Sequence, residues 1–92
     1  MAAIKAAGFA SVINNRPDHE GGQAQPDSAA LEVAARAAGL CYQHLPVPPS
    51  GHVDADAQQM VELVHSLPQP VLAFCRTGAR SAALYQKGKQ LL

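Results

Sequence analysis

The most informative segment of the sequence is Val71-Leu72-Ala73-Phe74-Cys75-Arg76-Thr77-Gly78-Ala79-Arg80-Ser81. Its first four residues are all apolar, which is typical of a central strand in a parallel sheet with both faces covered. The residues that follow predict a tight loop, because Gly78 permits backbone angles that other residues avoid. From Ser81 onward the sequence predicts a helix, which we expect to break or fray near Gly88. The stretch therefore predicts a strand, a short loop and a helix in direct succession.

Outward from this stretch, the chain alternates helix-like and strand-like segments. Apolar residues spaced by three and four positions predict two further helices, with Asp27 or Ser28 capping one and Asp54 capping the other. Strands separated by helices imply an α/β fold with a small, mostly parallel sheet flanked by helices, in a single domain over residues 1–92. One predicted helix covers residues 2–7, another lies between its cap at Asp27 or Ser28 and Gly39, and a third lies between its cap at Asp54 and Pro68. The predicted strands cover residues 9–13, 40–45 and 71–74.

The chemistry is expected where the carboxyl ends of parallel strands meet, at one edge of the sheet. Three segments end there: residues 14–18, 46–52 and 75–81. In the last of them, successive backbone N–H groups of Arg76, Thr77, Gly78 and Ala79 predict a nest that binds an anion.

Cys75 lies at the base of this nest, so we interpret it as an activated nucleophile. A helix N-terminus and nearby arginines are expected to lower its pKa. Arg80 is expected to bind an oxyanion through two N–H groups. The Ser81 hydroxyl is expected to donate a hydrogen bond to the thiolate. The alternative is a free cysteine acting as a small buried hydrophobic residue, which leaves the glycine, the two arginines and the serine unexplained.

Composition narrows the classes of function. The 92 residues carry seven basic and seven acidic side chains, so the basic excess typical of nucleic-acid binding is missing. No apolar run approaches the roughly 20 residues needed to cross a bilayer, and the N-terminus does not resemble a signal peptide. We therefore expect a soluble, cytoplasmic protein with reduced cysteines, no membrane partner and no nucleic-acid partner.

Residues 11–18 and 74–82 resemble the DUF442 family, the β-lactamase-hydrolase-like, phosphatase-like domain. The resemblance covers nearly the whole chain, although the family's domains are longer, so we expect a short member or a fragment that lacks an N-terminal strand and part of a C-terminal helix. It implies a fold like that of dual-specificity phosphatases. It also implies two candidate activities, phosphatase and sulfurtransferase, with Cys75 as nucleophile and Arg80 as anion clamp. Relatives fused to a persulfide dioxygenase-type domain imply such a domain as a partner.

Two features favour sulfur transfer over phosphate hydrolysis. Four residues separate Cys75 from Arg80, as in rhodanese loops, whereas cysteine phosphatases have five. The loop over residues 46–51 contains no carboxylate to act as general acid, and Asp54 and Asp56 are more typical of a helix start. We therefore expect a rhodanese-like sulfurtransferase that takes sulfane sulfur from thiosulfate or glutathione persulfide through a Cys75 persulfide. The alternatives are a phosphatase that forms a Cys75 phosphoenzyme on a phosphate ester, and a non-catalytic domain that binds an anion or a partner.

The remaining candidates are weaker. Arg16 follows the first strand and is expected to extend the anion site, whereas Asp18 is more typical of a turn. Cys41 is interpreted as a core residue too far from Cys75 for a disulfide. His52 is a weak candidate for a general acid. The histidines at positions 19, 44, 52 and 65 lack the spacing of metal ligands, so we expect neither a metal nor a cofactor.

Overall fold

A computed structural model of the chain describes residues 1–48, 51 and 53–91, in which three parallel strands form one sheet flanked by helices. This confirms the predicted α/β fold class. The strands are β1 (Ser11–Asn14), β2 (Cys41–His44) and β3 (Val71–Phe74). The helices are α1 (Ala2–Ala6), α2 (Ser28–Ala37), α3 (Asp54–Ser66) and α4 (Ala79–Gln90), with one 3-10 turn at Gly22–Ala24.

The sheet has the order β2-β1-β3, so the prediction that β3 is the central strand is wrong. All four residues of β1 are buried, whereas all four of β3 are partly exposed. Polar residues in β1 concealed its central position. Ser11 Oγ donates to the Pro68 carbonyl at 2.7 Å, and Asn14 Nδ2 donates to Tyr42 Oη at 3.0 Å. These hydrogen bonds allow Ser11 and Asn14 to be buried, because polar side chains in a protein interior need hydrogen-bond partners.

The two faces of the sheet build two separate halves of the core. Successive side chains of a strand point to opposite faces, so Ile13 packs with Met60 and Leu84 from α3 and α4, and Val12 packs with Ala35 of α2. Each fully buried aliphatic side chain of this size contributes about 1.5–3 kcal/mol. The core therefore fixes the helices on both faces and, through them, the loops at the carboxyl edge.

Helix α4 continues through Gly88 to Gln90, so the predicted break near Gly88 is wrong. Gly88 is buried where α4 crosses α3, and a Cβ atom at this position would overlap the Ala57 carbonyl and the Val61 side chain. The glycine allows the two helices to approach closely, which offsets its cost of roughly 0.5–1 kcal/mol within a helix.

The helix starts follow the predicted capping chemistry at one site and differ from it at another. Asp27 caps α2, accepting a hydrogen bond from the Ala30 N–H at 2.8 Å. Asp54 was predicted to be the N-cap of α3, but it is the first helical residue, and Val53 is the N-cap. Asp56 accepts a hydrogen bond from the Val53 N–H at 3.2 Å. Asp56 therefore accepts the hydrogen bond at the start of α3, in the first turn of the helix. Within the described ranges no helix is long and apolar enough to cross a membrane.

Candidate active site

Backbone hydrogen bonds join the segments that follow the three strands. The Asn15 N–H donates to the Phe74 carbonyl at 2.8 Å, and the Val47 N–H donates to the Asn15 carbonyl at 3.0 Å. Arg80 Nη1 donates to the Val47 carbonyl at 3.0 Å. The carboxyl ends of β1, β2 and β3 therefore form one connected edge, as expected of a parallel sheet.

The loop over residues 75–81 wraps around the sulfur of Cys75. Gly78 has a left-handed φ of 87° and is the N-cap of α4. Its N–H donates to Cys75 Sγ at 3.1 Å. The backbone N–H groups of Thr77, Arg80 and Ser81 belong to the same loop and also contribute to lowering the pKa of the thiol. A positive φ at this position is what lets the chain turn from strand to helix with its N–H groups directed inward.

These N–H groups set the ionisation of Cys75. Partial burial raises the pKa of the thiol, but the hydrogen bonds from Ser81, Thr77, Gly78 and Arg80 outweigh it and lower the pKa from 9.0 to about 7. The direction agrees with the prediction, and the backbone N–H groups of the predicted nest account for it, whereas the predicted contribution of arginine side chains is not among its causes. About half of the thiol is ionised at neutral pH, so the nucleophile is available without an added base.

Alkylation by iodoacetamide should report this pKa. Because the thiolate is the reactive form, the rate should be half-maximal near pH 7 and should fall about tenfold per pH unit below that. Unfolding in denaturant removes the N–H ring and should move the midpoint up towards 9, the ordinary value. The Cys41→Ser background isolates Cys75 as the single thiol. A native midpoint no lower than that of the unfolded chain contradicts the expectation.

Ser81 contributes its backbone and not its hydroxyl. Its side chain is buried, and Ser81 Oγ has no hydrogen-bond partner among the described residues. The prediction that the hydroxyl donates to the thiolate is therefore not met in this structure. The side chains of Arg76, Thr77 and Ala79 are exposed at the rim of the loop, where Thr77 Oγ1 accepts from the Ala79 N–H at 3.4 Å.

Arg80 and Arg16, both predicted from sequence, are joined by a carboxylate that the sequence analysis missed. Glu20 Oε1 lies 2.9 Å from Arg80 Nη1, and Glu20 Oε2 lies 2.9 Å from Arg16 Nε. Glu20 belongs to a polar segment without regular periodicity. The one sequence signal for an ion pair is that Glu20 follows Arg16 by four residues. This spacing indicates a contact mainly when both residues lie on a helix. His19, with a left-handed φ of 66°, makes the turn that places Glu20 here.

The pKa of Glu20 shows that it is a charged partner. Burial raises this pKa, but the ion pair with Arg80 and the hydrogen bond from Arg16 have the larger, opposite effect, so the pKa lies below its ordinary value. Glu20 is therefore ionised at neutral pH. A carboxylate in this state orients the arginines and does not deliver a proton.

The other predicted residues make contacts away from the Cys75 loop or lie outside the described residues. Asp18 Oδ1 accepts from the Ser28 N–H at 2.7 Å, which is the expected turn role. Cys41 was predicted to be a core residue, but it is only half-buried, because it begins an edge strand. The central strand β1 separates Cys41 from β3, and both cysteines are free. His52 lies outside the described residues. In the described part of the chain no three histidine, cysteine or acidic side chains cluster as metal ligands do.

Comparison with known proteins shows the family of the chain. The family model for the "Beta-lactamase hydrolase-like protein, phosphatase-like domain" matches residues 1–91. A beta-lactamase hydrolase-like protein of Agrobacterium fabrum is 36% identical over 89 residues, which are 97% of this chain and 20% of that protein. One from Xylella fastidiosa (strain Temecula1) is 38% identical over 78 residues, 85% of this chain and 18% of that protein. The chain thus spans about a fifth of the length of these relatives.

Two solved structures share the fold. A crystal structure of a "putative phosphatase" from Neisseria meningitidis matches with a TM-score of 0.83 and 34% identity, over 90% of this chain and 58% of that one. A "putative phosphatase (DUF442)" from Shewanella putrefaciens matches with a TM-score of 0.69 over 97% of this chain and 60% of that one, and at 22% identity it shows the fold alone. The family model and these relatives confirm the resemblance carried by residues 11–18 and 74–82: the chain belongs to the beta-lactamase hydrolase-like, phosphatase-like domain family, DUF442.

Proposed function

We propose that this domain is a cysteine-dependent phosphatase that hydrolyses a small phosphate monoester. The observation that carries the proposal is the ring of backbone N–H groups around Cys75 Sγ, which lowers the pKa of the thiol to about 7. The same N–H groups can bind the oxygens of a phosphoryl group held above the sulfur. Membership of a phosphatase-like family supports this activity over sulfur transfer, which the sequence had favoured.

The reaction has two displacements at phosphorus. Cys75 Sγ donates an electron pair to phosphorus, and the S–P bond forms as the P–O ester bond breaks, releasing the leaving group with the bonding electron pair. Water then attacks phosphorus, the S–P bond breaks, and the thiolate and inorganic phosphate are regenerated. In both steps the N–H ring and the Arg80 guanidinium would stabilise negative charge on the transferring phosphoryl oxygens.

Leaving-group chemistry should limit the substrates. Asp18 is held by the Ser28 N–H and Glu20 is ionised between two arginines. Neither of these carboxylates at the site edge is therefore suited to protonate a leaving oxygen. We infer a preference for esters whose leaving groups depart as stable anions, such as aryl phosphates.

Sulfur transfer is the second candidate, and the spacing of four residues between Cys75 and Arg80 favours it. In that reaction Cys75 Sγ attacks the outer sulfur of thiosulfate, a new S–S bond forms, and the original S–S bond breaks to release sulfite. An acceptor thiolate such as glutathione then takes the outer sulfur. The same N–H ring would stabilise the terminal persulfide anion.

Mass spectrometry can separate the two reactions, because each leaves a different group on Cys75. We expect p-nitrophenyl phosphate to be turned over and to leave a phosphoryl group on Cys75 in a rapidly quenched sample. Thiosulfate should leave the mass of the protein unchanged. One added sulfur after thiosulfate, without hydrolysis of the ester, overturns the phosphatase proposal in favour of sulfur transfer. No adduct from either compound overturns both and leaves an anion-binding domain.

A further inference from the structure

The Glu20 carboxylate is enclosed between two guanidinium groups at the edge of the candidate site. Its oxygens lie 2.9 Å from Arg80 Nη1 and 2.9 Å from Arg16 Nε. The side chains of Glu20 and Arg80 are only 11% and 14% exposed. Ion pairs on open surfaces are held loosely and contribute little, whereas these side chains are packed in one arrangement. The contacts of Glu20 therefore decide where the Arg80 guanidinium lies.

Only one nitrogen of Arg80 is used by these contacts. Nη1 lies 2.9 Å from Glu20 Oε1 and donates to the Val47 carbonyl at 3.0 Å. Within the described part of the chain, Arg80 Nε and Nη2 donate no hydrogen bond to another group. In a planar guanidinium, Nε–H and one Nη2–H point in the same direction and form a fork that matches two oxygens of a tetrahedral anion. Glu20 and Val47 thus hold one side of the group and leave the fork free.

We propose that Glu20 is a positioning residue, which orients the free fork of Arg80 for an oxyanion bound above Cys75. The inference deepens the proposed function and rests on it only in placing the anion at the Cys75 loop. Glu20 does not touch the substrate. It acts through Arg80, and Arg16 holds its second oxygen so that the carboxylate cannot rotate away.

The charge of Glu20 and its positioning role predict opposite changes in anion affinity when Glu20 is neutralised, so the direction of the change tests the proposal. The two arginines and Glu20 together carry one positive charge, and neutralising Glu20 would leave two. If Glu20 only competed with the anion for Arg80, its removal would tighten anion binding. If Glu20 positions Arg80, the removal of Glu20 weakens anion binding. The anion must then immobilise the Arg80 side chain itself, and this cost reduces the free energy of binding.

The experiment measures how well inorganic phosphate protects Cys75 from iodoacetamide, in protein carrying Cys41→Ser. We expect Glu20→Gln to raise the apparent Kd for phosphate about fivefold to tenfold, roughly 1–1.4 kcal/mol. The alkylation rate without phosphate should stay within about twofold, because Glu20 is not among the groups that set the pKa of Cys75. Glu32→Gln is the matched control, since Glu32 pairs with Arg36 in an exposed position on α2.

A double-mutant cycle tests whether Glu20 acts through Arg80. In the Arg80→Lys background, Glu20→Gln should change the Kd for phosphate by less than about twofold. Tighter binding in the single variant, an unchanged Kd, or a full additional loss in the double variant overturns the proposal. If Glu20→Gln does not fold, Glu20→Asp keeps the charge but is shorter, and weaker phosphate binding is again expected.

This measurement requires no turnover, so it can fail independently of the proposed activity. Protection that is weakened by Glu20→Gln supports the positioning role even where p-nitrophenyl phosphate is not hydrolysed. Hydrolysis with unchanged protection in Glu20→Gln overturns the positioning role and leaves the phosphatase proposal intact. An absence of phosphate protection in the protein with Glu20 intact overturns the positioning role directly.

Discussion

Replacing Cys75 with serine lowers kcat/KM for p-nitrophenyl phosphate by at least about 10³-fold, because it removes the nucleophile while leaving the loop in place. The N–H ring lowers the pKa of the thiol to about 7. A serine hydroxyl ionises far less readily, and the same hydrogen bonds cannot bring its pKa near neutrality. The variant should therefore fold and bind phosphate but not form the covalent intermediate.

Cys41→Ser is the matched control for this substitution. Cys41 begins β2, and the central strand β1 separates β2 from the strand that leads to Cys75. Its kcat/KM should stay within about twofold of the unsubstituted protein. Residual activity in Cys75→Ser within tenfold of the unsubstituted protein would show that the hydrolysis does not proceed through this thiolate.

Arg80→Lys is expected to cost about 10²–10³-fold in kcat/KM, the range observed when one donor that stabilises transition-state charge is removed. A lysine ammonium retains the charge but cannot contact two oxygens through a planar fork. It also cannot bond the Val47 carbonyl and Glu20 while directing further donors to the substrate in the geometry seen here. The steady-state parameters for p-nitrophenyl phosphate measure the loss.

Arg36→Lys provides the control, because Arg36 forms an exposed ion pair with Glu32 on α2. Exposed pairs contribute roughly 0–1 kcal/mol to stability, so both activity and Tm should change little. If Arg80→Lys retains more than about a third of the activity, then charge alone suffices at position 80. The free fork of Arg80 would then have no role in the reaction.

The local parts of the candidate site were predictable because short-range chemistry specifies them. An apolar strand, a glycine suited to left-handed φ and an Ala-rich helix predict the turn at residues 75–81 and its inward N–H groups. The structure places Gly78 at φ 87° and its N–H 3.1 Å from Cys75 Sγ. Only the additional contribution predicted for arginine side chains is missing from the causes of the lowered pKa, since these side chains have long and variable reach whereas backbone N–H groups do not.

Glu20 shows why the rest of the site was not predictable. Nothing in the polar segment around it marks a partner for Arg80, which lies 60 residues further along the chain. The contact depends on the packing that brings the segment after β1 against the start of α4. Gly88 is a similar case, because a helix-breaking residue becomes favourable only once α3 packs against it.

By itself, the sequence determined the α/β class, the parallel arrangement, the strand-loop-helix around Cys75 and the family, because periodicity, turn residues and a contiguous motif are local properties. Packing between distant segments made β1 and not β3 the central strand, left the Ser81 hydroxyl without a described hydrogen-bond partner, and brought Glu20 between Arg16 and Arg80. These features depend on which distant surfaces pack together. That choice follows from the summed burial of the core and not from any one segment.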